Sequence, residues 1–184
     1  TINEHSENYH YMRSNNMLMR TARGADRVFD FYGWQGEIDV TNPATREYVW
    51  NKLKENYIDN GVDALWFDEA EPEIHPEHFD NLIWYKGRAD MVALLYPYYY
   101  SKMAYDGFKS IGRDDIITLT RCAYLGSQKF GSLVWSGDIE STFESLACQV
   151  KAGLNMAMCG IPWWNTDIGG FYGADITSDY FKEL

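Results

Sequence analysis

Four short apolar runs, each closed by a charged residue, restrict this chain more than any other feature. Asp63-Ala64-Leu65-Trp66-Phe67 stops at Asp68, Ile116-Ile117-Thr118-Leu119-Thr120 at Arg121, Leu133-Val134-Trp135-Ser136 at Gly137-Asp138, and Ile161-Pro162-Trp163-Trp164-Asn165-Thr166 at Asp167. Continuous apolar runs of this length read as buried strands, and the helical patterns among them imply parallel pairing through right-handed crossovers. The class is therefore α/β. A doubly wound open sheet would place a Gly-rich phosphate turn after its first strand, and none is present. In a parallel barrel the carboxyl ends of all strands meet at one rim, so the four charged endings converge. A complete (β/α)8 TIM barrel has eight strands and about 250 residues. This chain of 184 residues is thus expected to supply a partial barrel, roughly the middle to late strands, with the first strands and the last one missing.

The helices are marked by their ends. Asn42-Pro43 opens one with Pro in the first turn, and Tyr48, Val49, Leu53, Tyr57 and Ile58 follow on one face until Gly61. A second spans residues 89–111, carrying Met91, Leu94, Leu95, Tyr98, Met103 and Phe108, with a kink expected at Pro97 and an end at Gly112. Within it, Tyr96-Pro97-Tyr98-Tyr99-Tyr100 reads as core packing in preference to a sugar platform. Ser141-Thr142-Phe143-Glu144 has the form of a capping box with Ser141 at the cap, opening a helix to Met158 with Gly160 beyond. Met156 and Met158 read as core filler. No repeat, low-complexity tract or linker divides the chain, so residues 1–184 read as one domain.

Charge and composition narrow the function. The net charge of −11, with basic residues occurring singly, excludes a nucleic-acid partner. No run of about 20 apolar residues would cross a membrane. The chain reads as soluble, its compartment open, since an export signal would lie upstream of Thr1. Cys122, Cys148 and Cys159 are odd in number and lack metal-ligand spacing, which predicts free, buried thiols. His75 and His78 follow Pro72 in a polar loop and read as solvated residues, not a metal pair. Aromatic residues make up 16% of the chain, with 7 Trp and 14 Tyr, more than a core of this size needs and suited to a surface that meets sugar faces.

Asp68 and Asp138, each at a strand end and each near Trp, suggest the carboxylate pair that breaks a glycosidic bond, one ionised to attack and one protonated to donate. Trp135 is a candidate apolar wall for the acid, and Arg121 a candidate cation beside the nucleophile. Glu71, next to Pro72, reads as structural. Asp63, placed inside a strand, lacks an evident partner.

The segment Gly61-Val62-Asp63-Ala64-Leu65-Trp66-Phe67-Asp68-Glu69-Ala70-Glu71-Pro72 resembles the nucleophile segment of glycoside hydrolase family 31. Arg121, Trp135-Ser136-Gly137-Asp138, Gly160-Ile161-Pro162 and Asp167-Ile168-Gly169-Gly170-Phe171 follow in the order that family shows, and the resemblance reaches back to Asp39-Val40-Thr41-Asn42-Pro43. It implies a retaining exo-acting α-glycosidase with Asp68 as nucleophile and Asp138 as general acid and base. It further implies Arg121 and Asp167 on sugar hydroxyls, Trp66, Trp135, Phe171 and Trp34 lining the pocket, an oligosaccharide substrate, and no metal or organic cofactor. The family's first strands, with a further sugar-binding Asp, would precede Thr1, and the eighth, with its His, would follow Leu184. The phrases Arg121-Cys122-Ala123-Tyr124-Leu125-Gly126-Ser127-Gln128 and Met158-Cys159-Gly160-Ile161-Pro162-Trp163-Trp164 are most similar to the α-xylosidase branch. The alternatives are an α-glucosidase of the same family and a catalytically inactive carbohydrate-binding relative. Open sheet edges and unpaired apolar faces predict that the segment alone is poorly stable and inactive.

Overall fold

A computed structural model of the chain describes residues 1–25, 28–30, 33–72 and 76–184, without the side chains of residues 28–30, 76 and 77. In chain order the elements are β1 (Ile2–Asn3), α1 (Tyr9–Ser14), β2 (Arg20–Thr21), β3 (Val28–Asp30), β4 (Trp34–Gly36), α2 (Pro43–Asn56), β5 (Leu65–Phe67), β6 (Leu82–Trp84), β7 (Gly87–Arg88), α3 (Ala89–Val92), α4 (Tyr96–Ser110), β8 (Thr118–Thr120), β9 (Ser132–Trp135), α5 (Phe143–Met158), β10 (Trp164–Asn165) and α6 (Asp179–Glu183). The four expected strands are β5, β8, β9 and β10, and they form one all-parallel sheet in that spatial order. Neighbours in the sheet follow one another along this set of strands, as in successive turns of a (β/α)8 barrel.

Register decides which side chains share a face. Phe67 stands opposite Thr120, Thr120 opposite Val134, and Val134 opposite Trp164. Trp66, Leu119 and Leu133 form the row before it. Phe67 packs into a core with Trp50 of α2 and with Met103, Ala104 and Phe108 of α4, so its row faces the helices. Side chains alternate along a strand, and the row of Trp66 therefore faces the other way, toward the barrel interior. This corrects the reading of residues 63–67 as buried on both sides: Phe67 is buried, whereas Trp66 is 65% exposed. Asp63 is likewise not in the strand, which begins at Leu65. Its exposed carboxylate lies 3.6 Å from Arg113 Nη1.

The helix ends follow local chemistry. Asn42 caps α2 by accepting from the Ala44 N–H at 3.0 Å, and Pro43 follows at the start of the helix. α2 stops at Asn56, with a short 3-10 turn, Ile58–Asn60, before Gly61. The stretch expected to kink at Pro97 is broken instead, into α3, a 3-10 turn at Ala93–Leu95, and α4, which holds Pro97 in its first turn. The tyrosine run packs as expected. Tyr96 is buried and donates to the Ile38 carbonyl at 3.1 Å, and Tyr100 meets Phe67 edge-on at 4.9 Å between centroids.

The cap of α5 is Thr142 and not Ser141. Thr142 Oγ1 accepts from the Ser145 N–H at 3.0 Å, while Ser141 is held by its own N–H donating to the Tyr172 carbonyl at 2.9 Å. Two features outside the parallel sheet were not expected. β1, β4 and β3 form one antiparallel sheet in that order, and β2, β6 and β7 another, so the loop through Lys86-Gly87-Arg88 is part of a hairpin.

None of the α5 side chains is buried. Leu146, Val150 and Leu154 present an apolar stripe at helical spacing, and Met158 is 87% exposed, contrary to its reading as core filler. Cys148 and Cys159 are also exposed, so only Cys122, partly buried, approaches the expected state. A barrel helix is covered by its neighbours, and the chain holds only part of the barrel. Among the described residues, no helix is long and apolar enough to cross a membrane. His75 lies outside the described residues.

The contact between α2 and α4 carries a stability prediction. A Cβ at Gly107 would lie 2.0 Å from Trp50 Cδ2 and 2.3 Å from Cε2. Alanine gains about 1 kcal/mol over glycine inside a helix, but overpacking costs about 1–3 kcal/mol, and Trp50 is buried with its ring 5.0 Å from that of Phe108. Gly107→Ala is expected to lower the Tm of the whole protein, and an unchanged or raised Tm would show that the indole moves freely.

Candidate functional site

The parallel register aligns the strand ends as well as the strands. One step beyond Phe67, Thr120, Val134 and Trp164 come Asp68, Arg121, Trp135 and Asn165, and the Arg121 N–H donates to the Phe67 carbonyl at 3.4 Å. By alternation, Asp68 and Arg121 share the interior face with Trp66. The Trp66 and Trp135 rings meet edge to face, with centroids 5.8 Å apart. Trp135 is buried and Trp66 half open, which leaves an aromatic wall with one free face.

Arg121 joins two carboxylates. Its Nη1 lies 3.3 Å from Asp68 Oδ1, while Nε and Nη2 donate to Glu71 Oε1 at 2.6 Å and Oε2 at 3.0 Å. Two parallel charge-assisted bonds of this kind fix a guanidinium plane as well as its position. The Arg121 side chain is 20% exposed against 49% for Asp68, so the cation is the anchored partner and the carboxylate faces solvent. Asp68 Oδ1 also accepts from the Glu69 N–H at 2.8 Å. The backbone hydrogen bond and the nearest approach of the arginine both fall on this one oxygen.

The segment bearing Asp138 is tied to the same arginine. A Cβ at Gly137 would sit 3.4 Å from Arg121 Cδ and 3.5 Å from Cγ, so the backbone just before Asp138 rests on the Arg121 stem. Gly137 has φ +73°, a left-handed conformation that glycine adopts without strain. Ser136 Oγ and Thr166 Oγ1 are 2.9 Å apart and link the ends of β9 and β10, just before Asp138 and Asp167. The Phe171 N–H donates to the Ile139 carbonyl at 2.8 Å, which holds Phe171 beside the Asp138 segment. At Gly170 a Cβ would lie 2.6 Å from Ser141 Cα, so only glycine allows this close passage. Asp138 and Phe171 are exposed and Asp167 partly so.

The fold thus gathers Asp68, Arg121, Trp66 and Trp135 at adjacent strand ends, and links the loops carrying Asp138, Asp167 and Phe171 to them. Trp34 is exposed and belongs to the antiparallel β1-β4-β3 sheet instead. Glu71, read as structural, is the bidentate partner of Arg121, 50 positions away along the chain, a pairing that the sequence did not reveal. The only available signal was its place in the acidic cluster three residues after Asp68.

Cys122 follows Arg121 directly, and a thiol there would be a rival nucleophile. Burial pushes its pKa well above the usual range, Glu71 adds to that and Arg121 opposes it, so the thiol stays protonated at neutral pH. Carboxylates remain the available nucleophiles. With aromatic faces, two carboxylates on segments joined by one arginine, and further polar groups around them, the rim has the kinds of group that can hold a sugar ring and displace a group from it.

A family model, the glycosyl hydrolases family 31 TIM-barrel domain, matches residues 1–183. The chain is 41% identical over its whole length to an uncharacterized family 31 glucosidase, ORF2, of Pseudescherichia vulneris, and spans 35% of that protein. It is 31% identical to alpha-xylosidase A of Aspergillus niger, aligned over all of this chain and 29% of that one. Among solved structures, a family 31 alpha-xylosidase from a soil metagenome, complexed with xylose, superposes with a TM-score of 0.95 at 44% identity, over all of this chain and 27% of that one. The chain therefore spans about a quarter to a third of the length of these three proteins.

Proposed function

Because the chain belongs to glycoside hydrolase family 31, we propose that it forms part of the catalytic barrel of a larger retaining, exo-acting α-glycosidase, with Asp68 as nucleophile and Asp138 as general acid and base. The supporting observation is the rim itself: Asp68 and Asp138 come from the ends of different parallel strands, and both segments rest on Arg121. Asp68 attacks the anomeric carbon, the bond to the leaving oxygen breaks, and Asp138 gives that oxygen its proton. Water then loses a proton to Asp138 and attacks the same carbon, releasing Asp68 and returning the original anomeric configuration. Arg121 and Asp167 hold hydroxyls of the terminal sugar. Trp66, Trp135 and Phe171 line its pocket.

For substrate we favour a terminal α-xylose. Two of the three relatives above bear the name α-xylosidase, one of them in complex with xylose, and the motifs around Arg121 and Trp163 are most similar to that branch. A glucosidase name on the third keeps α-glucosidase as the alternative. The two sugars differ by one CH2OH group, worth about 1–3 kcal/mol in a pocket, or roughly 10–200-fold in kcat/KM. The test is hydrolysis of an aryl α-xyloside against an aryl α-glucoside by the whole protein. Xyloside preference within that range is expected. Glucoside preference would make it an α-glucosidase, and inertness toward both would favour an inactive carbohydrate-binding relative.

A further inference from the structure

We propose that Ser136 and Thr166 are positioning residues that aim Asp138 through the peptide group from which it projects. This rests on the reading of Asp138 as general acid and base. Ser136 Oγ donates to the Gly137 carbonyl at 3.1 Å, and that carbonyl belongs to the peptide joining Gly137 to Asp138. A serine hydroxyl has a single proton to give. With that proton on Gly137, the 2.9 Å contact between Ser136 Oγ and Thr166 Oγ1 is made by the Thr166 proton. The hydroxyls thus form a directed chain, Thr166 to Ser136 to the Gly137 carbonyl, in which each bond polarises the next.

The chain lies behind the rim and not in it. The Ser136 N–H donates to the Asn165 carbonyl at 3.1 Å, which carries the β9–β10 register one step past Trp135 and Asn165. By alternation, Ser136 and Thr166 share the face of Val134 and Trp164. Trp164 turns to α5, where a Cβ at Gly153 would lie 2.5 Å from its Cδ1. The two hydroxyls, partly buried, are therefore on the opposite side of the sheet from Trp66 and Trp135. They act on the site through backbone. The Gly137–Asp138 peptide is gripped from two directions, by Ser136 at its carbonyl and by the Arg121 stem against Gly137, which holds φ +73°. Thr166 immediately precedes Asp167, so the same chain ties the peptide of the acid to the next strand end.

The test compares four variants of the whole protein. Thr166→Val keeps the branched shape and removes the donor, Thr166→Ser keeps the donor, and Ser136→Ala is made alone and with Thr166→Val. The readout is kcat/KM, which reports the steps up to departure of the leaving group, on an oligosaccharide and on the glycosyl fluoride of the sugar hydrolysed. Fluoride leaves with its electron pair and needs no proton, whereas the glycosidic oxygen takes one from Asp138. Thr166→Val is expected to lower kcat/KM on the oligosaccharide by roughly 10–10²-fold, the cost of a misplaced reacting group, with the fluoride nearly unaffected. Thr166→Ser should keep the oligosaccharide rate. The double variant should be no slower than Ser136→Ala, because Thr166 acts only through Ser136. Equal losses on both substrates would overturn the proposal, since a residue that merely props the rim acts whatever leaves. So would Thr166→Ser as slow as Thr166→Val, or an unchanged oligosaccharide rate in Thr166→Val. Should Thr166→Val not fold, Ser136→Ala is read in its place and must show the same dependence on the leaving group. A loss confined to the oligosaccharide in Asp138→Ala, without one in Thr166→Val, would sink this inference and leave the assignment of Asp138 standing. Full oligosaccharide turnover in Asp138→Ala would remove both.

Discussion

Asp68→Ala is expected to reduce turnover by the whole protein about 10⁴-fold or more, the scale seen when a covalent nucleophile is deleted. That corresponds to about 5.4 kcal/mol of lost transition-state stabilisation, at 1.36 kcal/mol for each factor of ten. The loss is expected without unfolding. Asp68 is half exposed at the end of β5, and its removal leaves Arg121 held by the bidentate Glu71 pair, so no cation is stranded without a partner. The Phe67 core beneath it is untouched. A Tm within a few degrees of wild type, together with loss of activity, would assign the defect to chemistry. A small anion such as azide, admitted where the carboxylate was, should restore some reaction on an activated aryl glycoside. It would attack the face from which Asp68 attacks and yield a glycosyl azide of inverted configuration. Turnover within tenfold of wild type would remove Asp68 from the nucleophile's role.

The strand endings were legible because they depend only on local facts: an apolar run, a charged stop and a helix between. Parallel pairing then follows from connection rules, which is why the amino-acid order alone brings Asp68 and Arg121 to one rim. Quantities set by neighbours were not legible. Trp66 and Phe67 are equally apolar in sequence, but one faces the interior and the other the helices, and only the register reveals which. Met158, Cys148 and Cys159 belong to residue types that are usually buried. They stand exposed on α5 and its C-terminal end, where none of the helix's side chains is buried. The antiparallel sheets include strands of two residues, too short for any alternation to register. Ser141 and Thr142 are both competent caps, and the choice was made by the Tyr172 carbonyl, which engages Ser141 from 31 positions away. The Arg121–Glu71 pair was missed for the same reason: proximity to Pro72 is visible along the chain, and proximity to Arg121 is not.

Asp138→Ala is expected to give a different defect, one that depends on the leaving group. A sugar leaves as a poor alkoxide and needs its proton, so loss of the acid should cost roughly 10²–10⁴-fold on oligosaccharides. A glycosyl fluoride or an aryl glycoside with an acidic phenol leaves unaided, so the first step should be nearly normal and Asp68 should accumulate as a glycosyl ester. Release of that ester then fails for want of a base to deprotonate water. Azide needs no base, and should restore turnover by attacking the ester to give a glycosyl azide of retained configuration. The anomeric outcome separates the two residues: inversion when azide substitutes for Asp68, retention when it bypasses Asp138. Asp138 is exposed on a loop anchored through Gly137 and Phe171, not through its own side chain, so its truncation should leave that loop in place. Equal slowing of the first step on fluoride and oligosaccharide substrates, or an azide product of inverted configuration, would show that Asp138 is not the acid and base. The displacement would then require a carboxylate from elsewhere on the rim, for which Asp167, at the end of the adjacent strand, is the next to test.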